Sequence, residues 1–277
     1  MKTDVRTFRL IGWLFLATAA CSSSGAQPQC EPGGGTGRAA RPVAVLLQHS
    51  PWTGGTERPL FILYEDGRVI YPDRRDERTP VSYRTACLDG GPADLRARFG
   101  LDSGVRGLRD QYDFKPGWSD QESVFLFAWS GDTLTRVAVR AGRRGIDRFS
   151  DSVPAPFREA YRRMVGFRAP AGEAWEPDTL EVVVWGYEYA PDNPPLQWPK
   201  EWPDLGSAGT RREPDAAVGE VYFIYLPGGE RQRLETFLSR LRNRQAVAIN
   251  GKKWAVGYRM LFPGEVRWKP LIENLEM

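Results

Sequence analysis

One histidine, His49, stands among 277 residues. Any Ser-His-Asp or Cys-His nucleophilic site would have to use it. It lies at the end of an apolar stretch, between Gln48 and Ser50 and just before Pro51-Trp52, a setting that reads as a satisfied or surface histidine rather than a base. No Gly-x-Ser-x-Gly elbow occurs, and Gly117-Trp118-Ser119-Asp120 lacks the second glycine. Only three cysteines are present. They form no Cys-x-x-Cys pair, and neither His-Glu-x-x-His nor an Asp-x-Asp-x-Asp-Gly loop appears, so no metal is expected. No glycine fingerprint for a nucleotide is found, and no cofactor is expected. Charge is nearly balanced, with 38 basic against 35 acidic side chains. Without a basic stripe or patch there is no footprint for nucleic acid. The 32 arginines against six lysines carry no functional reading. Paired carboxylates survive these exclusions, because glycoside hydrolysis needs only two Asp or Glu at the right separation and no motif announces them.

The N-terminus is the most informative stretch. Lys2, Arg6 and Arg9 precede an uncharged run from Leu10 to Ala20, and Thr18-Ala19-Ala20 lead into Cys21. A charged start, a short apolar run and small residues at a processing site are the parts of a secretory signal. Eleven residues are too few to span a hydrocarbon core, which needs about 20. The small residues ending at a cysteine resemble a bacterial lipobox, with Thr18 where that motif usually carries Leu, Val or Ile. The resemblance implies a signal peptide over 1–20, lipidation of Cys21 and anchorage in the cell envelope. Ser22 in place of Asp then implies the outer membrane where the cell has one. Ordinary secretion after Ala20 and a retained anchor are the alternatives. Processing removes three basic side chains and Asp4, leaving 35 basic and 34 acidic, a net charge of +1.

Export also bears on the cysteines. With Cys21 lipidated, Cys30 and Cys87 remain as an even pair, which suits a disulfide in an oxidising compartment. Closing that loop would stabilise the fold by about 4 kcal/mol. The alternative is that Cys87 is a small buried residue and Cys30 is incidental in the linker.

Residues 21–42 read as lipid attachment and a flexible tether, from Ser22-Ser23-Ser24-Gly25 and Gly33-Gly34-Gly35-Thr36-Gly37. The folded part is expected from Val43 to the C-terminus as one α+β domain. It should be mostly antiparallel sheet, with three β-hairpins and three packed helical segments. Asp66-Gly67 between Leu60–Tyr64 and Arg68–Tyr71 predicts one hairpin with a type I′ turn. Gly131-Asp132, between Ser123–Trp129 and Leu134–Val139, predicts the second. Asn250-Gly251, between Ala246–Ile249 and Trp254–Phe262, predicts the third. Leu134 breaks the alternation of its strand. Helical patterns fall within Pro92–Tyr112, at Ala155–Val165 and at Gly229–Arg244. In the last, Leu234, Phe237, Leu238 and Leu241 share one face, while Arg231, Arg233, Arg240, Arg242 and Arg244 read as a solvated one. Val81–Leu88, Leu180–Tyr189 and Val221–Tyr225 are further strands.

Tyr64-Glu65-Asp66-Gly67-Arg68-Val69-Ile70-Tyr71, the C-terminal helix and hairpin, and Leu261-Phe262-Pro263-Gly264-Glu265 are similar to segments of secreted bacterial lipoproteins of unknown function. That resemblance implies location and no activity.

Pro191–Ala217, with six prolines, reads as a long insertion of little regular structure. Trp198 and Trp202 within it are the candidate binding residues, since exposed rings stack on sugars or anchor protein partners. The competing reading has them folding the segment back onto the domain. The expected function is a lipid-anchored, non-catalytic binding or interaction domain, with an envelope protein or glycan as partner. An envelope glycan-acting enzyme using paired carboxylates and a structural envelope component are the alternatives. A flat or convex aromatic patch would favour binding, and a pocket with two carboxylates and a Trp would favour the enzyme. On this reading Cys21→Ser moves the protein from the membrane to the soluble fraction; membrane association that persists after a salt wash would count against lipidation.

Overall fold

The computed structural model describes residues 41–49, 57–73, 81–114, 122–148, 151–187, 193–215 and 219–273. The expected signal peptide, Cys21, Cys30 and the tether through residue 40 lie outside the described residues. Cys87 is half-buried at the end of its strand, and its pairing with Cys30 stays a proposal.

Twelve elements come first. They are β1 (Pro42–His49), β2 (Arg58–Tyr64), β3 (Arg68–Pro72), β4 (Tyr83–Cys87), α1 (Pro92–Arg98), α2 (Ser103–Arg106), β5 (Gln111–Asp113), β6 (Ser123–Ser130), β7 (Thr133–Arg140), α3 (Gly142–Arg148), α4 (Ala155–Gly166) and β8 (Glu173–Trp175). Their strands form an eight-stranded sheet in the order β5-β7-β6-β1-β2-β3-β4-β8. Then follow β9 (Thr179–Gly186), β10 (Leu196–Gln197), β11 (Arg211–Asp215), β12 (Gly219–Pro227), α5 (Arg231–Ser239), β13 (Val247–Ile249), β14 (Lys252–Met260) and α6 (Lys269–Glu273). These strands form a six-stranded sheet in the order β10-β13-β14-β9-β12-β11. Both sheets are mixed, because β5 runs parallel to β7 and β10 parallel to β13.

The first sheet is buried on both faces. Val43, Leu46, Phe61, Leu63, Val137 and Val139 face one core, with Leu95, Val105, Ile146, Phe157 and Met164 from the four helices and Phe99 just after α1. Val45, Leu47, Ile62, Tyr64, Phe125 and Phe127 face the other, which is covered by Trp175, Phe262, Trp268 and Ile272. Two-sided burial explains the near-continuous apolar runs of β1, β2 and β6, as in any strand with no wet face. It also explains Leu134, which packs with Ala138 on the second face.

The α+β, mostly sheet architecture agrees with the sequence reading, but its counts were too low. β2–β3, β6–β7 and β13–β14 pair antiparallel across the three expected turns. Sequential antiparallel pairs also join β1–β2, β3–β4 and β11–β12. There are more than three helical segments as well. α3 lies in an Arg/Gly-rich stretch with Ile146 as its buried anchor. α6 is a single turn whose seating depends on Trp268 and Ile272. Neither carries a periodic pattern long enough to read.

The turns separate in detail. Asn250 and Gly251 both have positive φ, 51° and 76°, as a type I′ turn requires. Asp66 does not, which corrects the expected type I′ there. The Gly67 N–H donates to the Tyr64 carbonyl at 3.1 Å, and Gly67 alone is left-handed, at φ +82°. This is the three-residue loop with glycine closing the bulge. A Cβ at Gly67 would collide with the Leu88 carbonyl, while the Leu88 N–H donates to Gly67 O at 2.9 Å.

The C-terminal helix is shorter than its periodicity implied. A 3-10 turn at Gly228–Glu230 leads into α5, which ends at Ser239. Leu234 and Phe237 are buried, Leu238 and Leu241 half-buried. Leu234→Ala should therefore cost about 2–5 kcal/mol in denaturant unfolding, Leu238→Ala clearly less, and Arg240→Ala under about 0.5 kcal/mol. Equal costs at Leu234 and Arg240 would contradict the packing.

Candidate functional site

The Pro-rich segment is docked, and both candidate tryptophans are inside. Trp198 and Trp202 are 7% and 6% exposed. Their rings meet edge to face at 5.1 Å and each packs on Phe237, at 5.6 and 5.7 Å. Trp198 Nε1 donates to the Pro203 carbonyl at 2.9 Å, and Trp202 Nε1 to Glu230 at 2.8 Å. The backbone joins the sheet through β10, and Trp198 N–H donates to Ala248 O at 3.1 Å. Asp204 ties the loop to the β13–β14 turn, accepting from Gly206, Ser207 and Asn250. Hydrogen bonds from Asn250 and Ser207 hold its carboxyl below the usual range. The reading of these two rings as exposed contact residues, and of the segment as an irregular loop, is thus replaced. A buried indole N–H needs a partner, and the fold provides both, Pro203 from the segment itself and Glu230 from the turn before α5. Residues 191–192 and 216–217 of it lie outside the described residues.

The arginine face of α5 is corrected in part. Arg231 is no solvated side chain. It reaches Glu235 at 3.0 Å, Glu176 at 3.3 Å and the Val81 carbonyl at 3.3 Å, linking the second sheet's helix to the first sheet. Arg233 lies over the Trp202 ring at 5.3 Å.

The most unusual chemistry sits at the seam between the sheets. Arg259 of β14, 8% exposed, donates to Glu181 of β9 at 2.6 Å and to Glu265, both almost fully buried. Glu265 also accepts from the Phe262 N–H at 2.9 Å. Lys269 of α6 stands 3.6 Å from Glu181. Burial raises the Glu181 pKa, but the Arg259 hydrogen bond and charge, with Lys269 and Tyr225, overrule it and hold the carboxyl below its ordinary value. Burial works against the Arg259 charge, and Glu265 and Glu181 more than reverse that.

Two titratable groups from the first sheet complete the seam. Glu57, at the entry to β2, has its side chain 8% exposed. Its Oε1 is 3.8 Å from Nδ1 of His49, itself 9% exposed. The His49 ring meets Phe125 edge on at 6.0 Å. Burial pushes the Glu57 carboxyl up, and its own backbone hydrogen bond, Arg259, Lys269 and His49 offset this only in part. The histidine is therefore buried rather than on the surface. Its placement depends on a β1–β2 register that matches Gln48 with Arg58.

The cluster leads onto one face of the second sheet. Register puts Glu181 between Tyr225 and Arg259, Val183 between Phe223 and Gly257, and Trp185 between Val221 and Ala255. The opposite face carries the third core, with Leu180, Val182, Val184 and Ile224 against Leu234 and Phe237. On the Glu181 face Trp185 is half-buried and leans over Gly257. Arg211 lies over Phe223 at 4.1 Å and donates to the Tyr225 hydroxyl at 3.2 Å.

Among the described residues no group of three or more His, Cys, Asp or Glu is placed to hold a metal ion, and no described helix is long and apolar enough to cross a membrane. No protein-family model, curated protein or solved structure matches the chain.

The docked tryptophans generate a stability test. Trp202→Ala should cost about 3–5 kcal/mol as a buried large-to-small change, read as a lowered midpoint in thermal or denaturant unfolding. An unchanged midpoint would return the ring to the surface.

Proposed function

We propose that this chain is an exported, lipid-anchored binding domain of the cell envelope, that it is non-catalytic, and that its contact surface is the Glu181 face of the second sheet. The observation that carries the reading is the composition of that face. Trp185, Phe223, Tyr225 and Arg211 are brought together on one sheet face by register, the three rings half-buried and Arg211 exposed, beside the buried Val183 and Val221. Aromatics and arginine are the side chains that protein interfaces concentrate at their centres. Half-buried rings beside an exposed arginine suit a protein surface better than a hydrolytic cleft, so the partner is an envelope protein. Arg211, stacked on Phe223 and 44% exposed, is the group at the edge strand from which contact would start.

The enzyme alternative has less support. Glu181 and Glu265 are both committed to Arg259. The charges acting most on Glu57 are Arg259, Lys269 and His49 rather than a second carboxylate. Retaining and inverting hydrolysis both need two carboxyl groups facing the scissile bond.

Capture from intact envelope tests the proposal. Arg211→Gln and Trp185→Ala should each reduce recovery of a protease-sensitive partner by about tenfold or more, as hot-spot losses of about 2 kcal/mol do, while Arg211→Gln leaves the unfolding midpoint within a few degrees. Undiminished capture by both variants would overturn the site. Captured material that resists protease and carries sugar would overturn the choice of partner.

A further inference from the structure

The edges of the second sheet are closed to an added strand. At one edge β10 is two residues long. At the other, β11 places Pro214 opposite Glu220, and a proline has no N–H to give to a bonded pair. The bonded pairs are therefore Arg211 with Phe223, Glu213 with Val221 and Asp215 with Gly219. What points outward from β11 is the Arg212 N–H, with the carbonyls of Arg212 and Pro214. A single donor on a short, charged, proline-bearing strand is a blunted edge. An extended partner has to lie across the sheet.

The Glu181 face carries a line for it to follow. Tyr225 and Phe223 are two apart on β12. Trp185, opposite Val221, and Tyr187, one residue past β9, continue the line on the neighbouring strand. All four rings are half-buried. Each is one two-residue step further along the strands than the last, which makes the line about 20 Å long by strand rise. Trp185 lies down in it. The edge of its six-membered ring is 3.5 Å from where a Cβ would stand on Gly257, so the lack of a longer side chain there gives the ring its place.

Two polar groups on this face are unanswered. Among the described residues nothing accepts from the Trp185 indole N–H, and nothing pairs with the Lys253 ammonium. Lys253 is exposed and alternates with the buried Trp254, which is opposite Gly186, so it falls beside Tyr187 at one end of the line. The remaining charges are matched. Glu181 and Glu265 meet Arg259 and Lys269. Glu213 meets Arg211, which also stands 3.8 Å from Glu181. Asp215 closes β11, with two strands between it and Lys253.

We propose that the occupant of this line is an extended proline-rich segment of the partner protein, about six or seven residues in the polyproline conformation at its ~3.1 Å rise, with a carboxylate at the Lys253 end. A polyproline chain makes no internal hydrogen bonds, so its carbonyls are open to the Trp185 N–H, and its rings pack on aromatic-lined surfaces. A helix spends its carbonyls on itself and has none for that N–H. A β-strand partner is refused at both edges. The lone unpaired cation selects an acidic side chain at its end of the line. The choice of occupant rests on this face being the contact surface proposed above.

Fluorescence anisotropy with the full chain and a labelled octaproline peptide ending in two aspartates tests it. Binding should saturate. A peptide of the same charge with glycine at alternate prolines should bind about tenfold or more weakly, because a flexible chain has to be ordered. Trp185→Phe keeps a ring and removes the N–H, and should weaken binding about threefold or more. Lys253→Glu should abolish the advantage of this peptide over plain octaproline. Equal binding of the glycine peptide, or an affinity that neither variant changes, would overturn the occupant. Absence of saturable binding would overturn it too, and capture from envelope separates the two levels. If Trp185→Ala still loses the envelope partner, the face stands without a proline-rich ligand; if capture is undiminished, the face falls as well.

Discussion

Arg259 is the interaction on which the rest of the structure leans. Its guanidinium is bound on one side by Glu181, within its own sheet, and on the other by Glu265, beyond the end of β14. The residues after β14 leave the second sheet and carry Phe262, Trp268 and Ile272 onto the first. One cation therefore sets where a strand ends and where the chain goes next. Tyr64 reinforces the path by donating its hydroxyl to the Pro263 carbonyl at 3.1 Å. A buried ion triad is weak evidence for stability, because desolvation offsets much of the Coulombic gain. What it supplies here is position. Removing one member strands the other two, whereas exchanging all three for apolar groups would preserve burial and lose the directional hold.

That hold has consequences for both sheets. The first sheet has no wet face, so its strands are specified only if something covers the outer side. Its four helices cover the inner side. The outer side depends on Trp175 and on the C-terminal turn, with Trp175 stacked on Phe262 at 4.8 Å and Tyr83 edge-on to Phe262 at 5.0 Å. Arg231 adds a second connection from α5 to Val81 and Glu176. The sheets are thus joined at two places by arginines, each satisfying carboxylates or carbonyls that would otherwise be costly to bury.

What was legible in the sequence follows from range. Local signals are legible. Asn250-Gly251 marks its turn, and Pro154 and Pro156 open a helix at Ala155 whose apolar face is buried as its spacing implies. The strands β1, β2, β6, β9 and β12 were visible as apolar runs. Long-range facts were not. Nothing near Trp198 shows that its N–H would meet Pro203 and its ring Phe237, and a proline-rich stretch looks the same whether docked or projecting. The parallel edges β5 and β10, two or three residues long, exist only because a neighbouring strand offers hydrogen bonds. The seam was the least legible. His49 and Glu57 are eight positions apart and meet only once β1 and β2 pair, and the cations that act on Glu57 lie about 200 residues further on. No spacing rule reaches that far.

The scarcity of histidine takes on a different meaning once the fold is known. A lone histidine in a balanced chain looked uninformative because every familiar use of it needs partners close in sequence or a recognisable motif. Its neighbour here is a buried carboxyl 3.8 Å away, and that carboxyl lies beside the Arg259 cluster. Apolar side chains of similar size at Glu57 and His49 would remove a desolvation cost, and they would continue the Val45–Leu47 face without interruption. The chain keeps an acid and a base there, close to Arg259 and Lys269. Buried titratable groups are costly to keep, and in this protein they gather at the seam, not in the proline-rich segment, whose two tryptophans are satisfied within the fold.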